Sequence, residues 1–337
     1  MLQTLPEGAY IKADHIGLKK ISLYNLVDRL YKRGHRLIGI DELHSYPSWK
    51  EELKMIYDDF PDLGLVVSSS SSLLIWQGTA SLSRRILPFH LPPLLFFEYY
   101  LLQGKKVPTF SLEEIIEDPV TKAAQLRNML PSIYEDFHHY MRYVGLPFAF
   151  RAHQEEIQSL IKKVVVEDIP ALSSLKSPSI PRLEALLLSL ALSPPGEISY
   201  ETLARDLQLS KSTISEYLYL LEKADIINPY SSKALPTTRK RKKVLFSHPM
   251  LRHVLVSPLG KDMIGAYREE IAVLHLSQQA QVFYLDNPKS PDFLVKKGKK
   301  SYIFEIGKHR HGKGSINVQD TERANFPLYL LGFLTPQ

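Results

Sequence analysis

The sequence predicts an α/β multidomain protein: a partial parallel sheet, a helical region, a winged helix-turn-helix and a C-terminal α/β domain. Three observations carry this reading. Two short apolar runs, residues 37–40 and 64–67, have the unbroken character of parallel strands covered on both faces. Residues 199–246 hold two short amphipathic helices about a tight turn, then two strand-like segments separated by a basic run. From Gly265 an amphipathic helix, a strand and a hairpin follow in order.

Composition bounds the class. A chain of 337 residues holds two to three domains and buries a substantial core. Hydrophobic content of 44% with 23% charged residues is that of a water-soluble globular protein. No apolar run approaches the roughly 18 residues of a membrane span. The N-terminal stretch MLQTLPEGAYIKADH lacks the basic-then-apolar order of a secretion signal. Without cysteine there is neither a disulfide framework nor a thiolate metal site. The expectation is a cytoplasmic protein with no membrane partner.

The net charge of +6 is clustered. Arg239, Lys240, Arg241, Lys242 and Lys243 are consecutive, and between Lys289 and Lys313 eight cations face only Asp292 and Glu305. Clustered cations point to an anionic partner, DNA being one candidate.

The N-terminal region carries the first chemistry. In RLIGIDELHSYPSW, residues 36–49, an apolar strand ends in Asp41 and Glu42. That is the pattern of the Walker B nucleotide motif: one carboxylate holds Mg²⁺ through water, and the next orients the attacking water. The partner motif, G-x-x-x-x-G-K-[ST], should precede this strand. Only 35 residues precede Arg36 and none fits it. After residues 64–67 comes a serine run, and Ser68 or Ser70 stands where such sites place a γ-phosphate sensor. Arg84 and Arg85 follow, read either as a solvated loop pair or as an arginine finger.

The order IGIDELHSYPSW, VSSSSSL, SLSRRI and LPPLLFFEYY resembles the prokaryotic AAA+-type ATPases whose C-terminal half is the DUF4143-like region. The resemblance continues through YVGLPF, VVVEDIP and the C-terminal half, so it covers nearly the whole chain. It implies a partial P-loop (AAA+) sheet with a helical lid, ATP and Mg as cofactors, and Asp41, Glu42, Ser68 and Arg85 as the hydrolytic residues. Two departures stand out: Ser69 replaces the family's usual Gly, and the phosphate-binding loop is absent.

Residues 112–140 and 153–168 repeat apolar side chains at three- and four-residue spacing, as in Leu126, Leu130, Ile133 and Phe137, and read as the lid helices. In ISYETLARDLQLSKSTISEYLYLLEKADIINPY, Leu203, Ala204 and Leu207 face the core from one helix. Thr213, Ile214, Tyr217, Leu218 and Leu221 give the stripe of the next. Lys211, Ser212 and Thr213 open the second helix, where base or phosphate contacts would lie, and the run 239–243 falls at the wing. A protein-interaction or dimer module is the competing reading, weighted by Glu201, Asp206 and Glu216 nearby.

The last 80 or so residues read as a degenerate nuclease-like α/β domain of restriction-endonuclease type. Glu269 on a helix, Asp292 heading a strand and Glu305 near the end of the next would gather a metal. Gly307 stands at the usual lysine position, and Lys308 one place later points to the opposite face.

The expected domains are 1–105 (truncated AAA+), 106–175 (lid), 176–250 (winged helix) and 251–337 (nuclease-like). The expected function is that of an AAA+ ATP-binding protein without its phosphate loop, with little or no ATPase activity alone. The alternatives are a DNA- or protein-binding module and a Mg-dependent nuclease; a homo-oligomer or protein partner stays open. A further expectation is that the chain is the remainder of a longer ATPase. In that case strand edges 37–40 and 64–67 are left unpaired by loss of a central strand.

Overall fold

The structure is a computed structural model describing residues 8–19, 21–69, 85–87, 89–150, 153–172, 179–196, 199–232, 242–285, 291–307 and 314–336. The chain divides into two compact units, Met1–His90 and Leu91–Gln337.

In the first unit, β1 (Ala9–Lys12), β2 (Leu37–Asp41) and β3 (Gly64–Val67) form a parallel sheet in that order. The register sets Ile11 beside Ile40 and Ile38 beside Leu65. Ile38 and Ile40 are fully buried, as the apolar run of β2 required. Helix α1 (Leu23–Lys32) is capped by Ser22, whose hydroxyl accepts from the Asn25 amide at 3.1 Å. It buries Leu23 and Val27, and α2 (Trp49–Asp59) buries Trp49, Leu53 and Ile56.

The sheet corrects one expectation. Strand β2 is paired along both edges, because the tetrapeptide AYIK, too short to read as a strand, lies against it. Among the described residues β1 and β3 border the sheet, and β3 is half-buried at Leu65 and Val67 and 41% exposed at Val66.

The second unit begins earlier than residue 105. Leu94, Leu95, Phe96, Tyr99 and Tyr100 belong to its core, and this apolar weight moves the boundary to His90. Helices α3 (Phe96–Leu102), α4 (Leu112–Glu117), α5 (Pro119–Met129) and α6 (Ile133–Tyr143) share that core with the C-terminal elements. Phe96 is its hub, with the rings of Tyr100, Phe137, Tyr140 and Phe333 5.0 to 5.5 Å away. The helices expected to form a lid therefore do not stand apart from the C-terminal domain.

Helices α7 (Gln154–Lys163), α8 (Ile169–Leu172) and α9 (Ile180–Leu192) come next, α7 and α8 joined by a π-turn at Val164–Asp168. Helices α10 (Tyr200–Asp206) and α11 (Lys211–Lys223) follow, with Gln208 at φ 53° in the turn between them. Strands β4 (Ile227–Ser231) and β5 (Lys242–Phe246) pair antiparallel, Pro229 opposite Val244. Of the stripe read from sequence, Ile214 and Leu221 are buried completely and Tyr217 and Leu218 nearly so, while Thr213, in the first turn of α11, is half-buried.

Helix α12 (Pro249–Val256) leads to α13 (Ile264–Leu276). A four-stranded sheet follows: β6 (Gln281–Tyr284), β7 (Phe293–Lys297), β8 (Lys300–Ile306) and β9 (Ile316–Val318), antiparallel except for the β8–β9 pair. A 3-10 helix at Leu328–Phe333 closes the core. No helix among the described residues is long and apolar enough to cross a membrane.

Candidate functional site

Two parallel strands ending at the same level set the site. Asp41 is the last residue of β2, and Ser68 follows the last residue of β3. The ladder continues past the strands: the Ser68 amide donates to the Ile40 carbonyl at 2.9 Å, and the Leu43 amide to the Ser68 carbonyl at 3.0 Å. The Ser68 hydroxyl donates to Oδ1 of Asp41, and Tyr10, on β1, donates from its hydroxyl to Oδ2 at 2.6 Å. The Glu42 amide adds a third bond to Oδ1 at 3.2 Å. Hydrogen bonds from Ser68 and then Tyr10 outweigh partial burial and hold the Asp41 carboxyl below its ordinary range, with Lys12 contributing at longer reach. Asp41 is thus an ionised carboxylate fixed from both sides.

Glu42 adopts φ 52° and ψ 38°, a left-handed conformation rare outside glycine, and its carboxylate lies 3.3 Å from Nδ1 of His44. The structure therefore brings Asp41, Glu42 and Ser68 together. It does not bring Arg85 to them. Arg85 forms a two-point pair with Asp58 of α2, at 2.9 and 3.2 Å. Ser70 and Arg84 lie outside the described residues. Tyr10 and His44 were missed in the sequence: Tyr10 because β1 was not recognised, and His44 because nothing local marks which strand its ring would meet.

The acid pair fits the metal side of a Mg-nucleotide. It offers fixed anionic oxygens, which would hold Mg²⁺ through water; the metal would supply charge neutralisation at the phosphates. The phosphate side has no counterpart in sequence. The nearest approach is Gly307–Gly314, GKHRHGKG, in which Gly314 takes the Ser/Thr place. A strand, β9, follows it rather than the helix N-terminus that cradles phosphate.

The second candidate surface is the start of α11. Ser210 caps it, accepting from the Thr213 amide at 3.1 Å, and its hydroxyl also contacts Ser212 at 2.7 Å and Thr213 at 2.8 Å. Lys211 reaches Glu201 at 2.5 Å across an open surface, so the pair contributes little stability. Arg239, Lys240 and Arg241 lie outside the described residues, and of Lys242 only the backbone is described. Lys243 is not a free cation of the basic run: its ammonium is seated on Glu269 of α13 and lies 5.0 Å from the centre of the Phe293 ring.

That contact bears on the expected metal triad. Burial pushes the Glu269 carboxyl up to about 6, opposed by Lys243 and aided by Asp292. Asp292 turns its Oδ2 to the Ile306 amide at 2.7 Å. Glu305 is buried on β8. Among the described residues no group of three or more His, Asp or Glu side chains is arranged to hold a metal ion. Glu269, Asp292 and Glu305 are not gathered into such a group, and one oxygen of Glu269 and one of Asp292 are bonded to Lys243 and to the Ile306 amide.

With this geometry in place, comparison with known families assigns the first unit a class. Residues 2–100 match the family described as AAA domain, and residues 134–262 match a domain of unknown function (DUF8612). The N-terminal region is thus similar to AAA-type ATPase domains. A protein of Methanocaldococcus jannaschii described as uncharacterized is 26% identical over 290 residues, covering 79% of this chain and 60% of that protein. The chain thus spans about 60% of the length of that relative.

Proposed function

We propose that this chain carries the acidic half of an AAA-type nucleotide site, in the manner of the DUF4143-like ATPases, and hydrolyses little or no ATP by itself. The observation that carries the reading is Asp41, fixed at the C-terminal end of a central parallel strand by Ser68 and Tyr10 with Glu42 beside it. Backbone amides of a phosphate loop and its lysine normally supply most contacts to the phosphates, and no segment of the sequence provides them. Mg–ATP should bind with a dissociation constant on the order of millimolar, weak for a nucleotide enzyme. The test is an ATPase assay with an amide NMR titration of the whole chain. Turnover abolished by Glu42→Gln would show a complete site built from other residues. Amide signals of Asp41, Glu42 and Ser68 that ignore several millimolar Mg–ATP would remove the nucleotide reading.

A second reading concerns the α9–α11 helices with the β4–β5 hairpin. We infer a winged helix that contacts DNA phosphates through residues 239–242. The support is the concentration of cations between β4 and β5 in the sequence, since α11 itself opens with a lysine already paired to Glu201.

A further inference from the structure

Ser68 and Ser69, consecutive at the end of β3, reach the two acids by different routes. Ser68 bonds directly to Asp41. The Ser69 hydroxyl lies 2.9 Å from Nδ1 of His44, and that same nitrogen is 3.3 Å from Oε2 of Glu42. The short turn that makes this possible is anchored at both ends. Leu43 is buried and its amide is bonded to the Ser68 carbonyl, while the Ser45 amide returns to the Glu42 carbonyl at 2.9 Å. His44 projects between them with its side chain 21% exposed.

A carboxylate oxygen only accepts, so this contact is favourable when the nitrogen that faces it carries hydrogen. In that tautomer Nδ1 of His44 is the donor, toward Glu42 and toward the oxygen of Ser69. The left-handed backbone at Glu42, strained for a residue with a Cβ, is held in place by the same turn. Strained backbone at an acid of the site, bridged by a ring to the neighbouring strand, is an arrangement the core does not require: none of Glu42, His44 and Ser69 is buried.

We propose that His44 is a positioning residue for Glu42, its Nδ1–H clamping the Glu42 carboxylate to Ser69 so that the second acid of the site follows the end of β3. This rests on the nucleotide reading above. Within it, Ser68 lies where the terminal phosphate would be sensed, and Ser69 follows it. A movement of that strand end then passes to Asp41 through Ser68 and to Glu42 through His44.

The experiment is two-bond proton–nitrogen correlation NMR on the whole chain labelled at histidine, at alkaline pH, with His44→Ala identifying the His44 signals. The wild-type ring should be the Nδ1–H tautomer. Glu42→Ala should convert it to Nε2–H, whereas Glu42→Gln, whose amide oxygen still accepts, should preserve it. Ser69→Ala should shift the Nδ1 resonance and leave the tautomer unchanged. An Nε2–H ring in the wild type, or a tautomer indifferent to Glu42→Ala, overturns the proposal. Failure of the nucleotide reading is seen separately, as amide signals at Asp41, Glu42 and Ser68 unmoved by Mg–ATP while the tautomer responds as stated.

Discussion

Arg252 and Glu270 form an ion pair from which water is excluded almost completely, 1% and 0% exposed, with Nη2 and Nε each 2.8 Å from Oε1. Arg252 also donates to the carbonyls of Leu190, Ala191 and Ser193 at 2.7 to 2.9 Å. These include the orphan carbonyls at the C-terminal end of α9. Glu270 in turn accepts from the Phe246 amide at 3.0 Å. One ion pair therefore joins the C-terminal end of α9 with α12, α13 and β5.

Removing one member of a buried pair leaves the other charged and unpaired. Arg252→Ala should lower the unfolding free energy by about 3–5 kcal/mol. Glu270→Gln should cost less, because the amide oxygen still accepts from Arg252 and Phe246. Urea denaturation measures both; a loss below about 1 kcal/mol for Arg252→Ala would assign the pair no structural weight.

Acid should weaken the second unit through its buried histidines. Burial drives His275 down to about 3 and His248 well below its ordinary value, the latter also by repulsion from His275. Among the described residues neither Nε2 has a partner, nor does His275 Nδ1. Both rings are neutral when folded and protonate on unfolding near 6.5. Their contribution is full above that pH and is lost as pH falls from about 6.5 toward about 3. Glu269 acts with the opposite sign. Raised to about 6 from 4.5, it favours the folded state below 4.5, and that gain is lost as pH rises through about 6. Denaturation between pH 8 and 4 should show a net fall, flatter in His275→Leu; equal slopes in both proteins would contradict it.

Gly332 is fixed by the aromatic hub rather than by its backbone angles. A Cβ there would lie 2.6 Å from Cβ of Phe96 and 3.0 Å from Nε2 of His275. Cβ of Phe96 cannot swing aside without moving α3, so Gly332→Ala should cost about 1–3 kcal/mol. A thermal midpoint unchanged from wild type would mean that the Leu328–Phe333 segment yields freely.

If the β4–β5 hairpin binds DNA, four cations act there rather than five, because Lys243 is committed to Glu269. Neutralising Arg239, Lys240, Arg241 and Lys242 together should weaken binding to every sequence. The log–log salt slope should flatten by about 0.9 for each phosphate the protein no longer neutralises. Substituting Lys211 or Thr213 should instead change sequence preference. Binding insensitive to salt would place a protein at this surface.

Much of the architecture was legible because it is local. The apolar runs of β2 and β3, the three- and four-residue spacing of α5, α6 and α11, and the acid pair after Ile40 each lie within one segment, where periodicity and strand ends declare themselves. The sequence by itself determined those elements, and with them the placing of Asp41, Glu42 and Ser68 at strand ends. The tertiary structure decided what depends on partners far along the chain. It paired AYIK with β2 and set Tyr10 on Asp41. It gave Arg85 to Asp58 and Lys243 to Glu269, and it merged residues 94–144 with the C-terminal core. A charged side chain can reach many partners, and its choice follows from desolvation and geometry at one packed location. No spacing in the sequence encodes that location until the chain has folded.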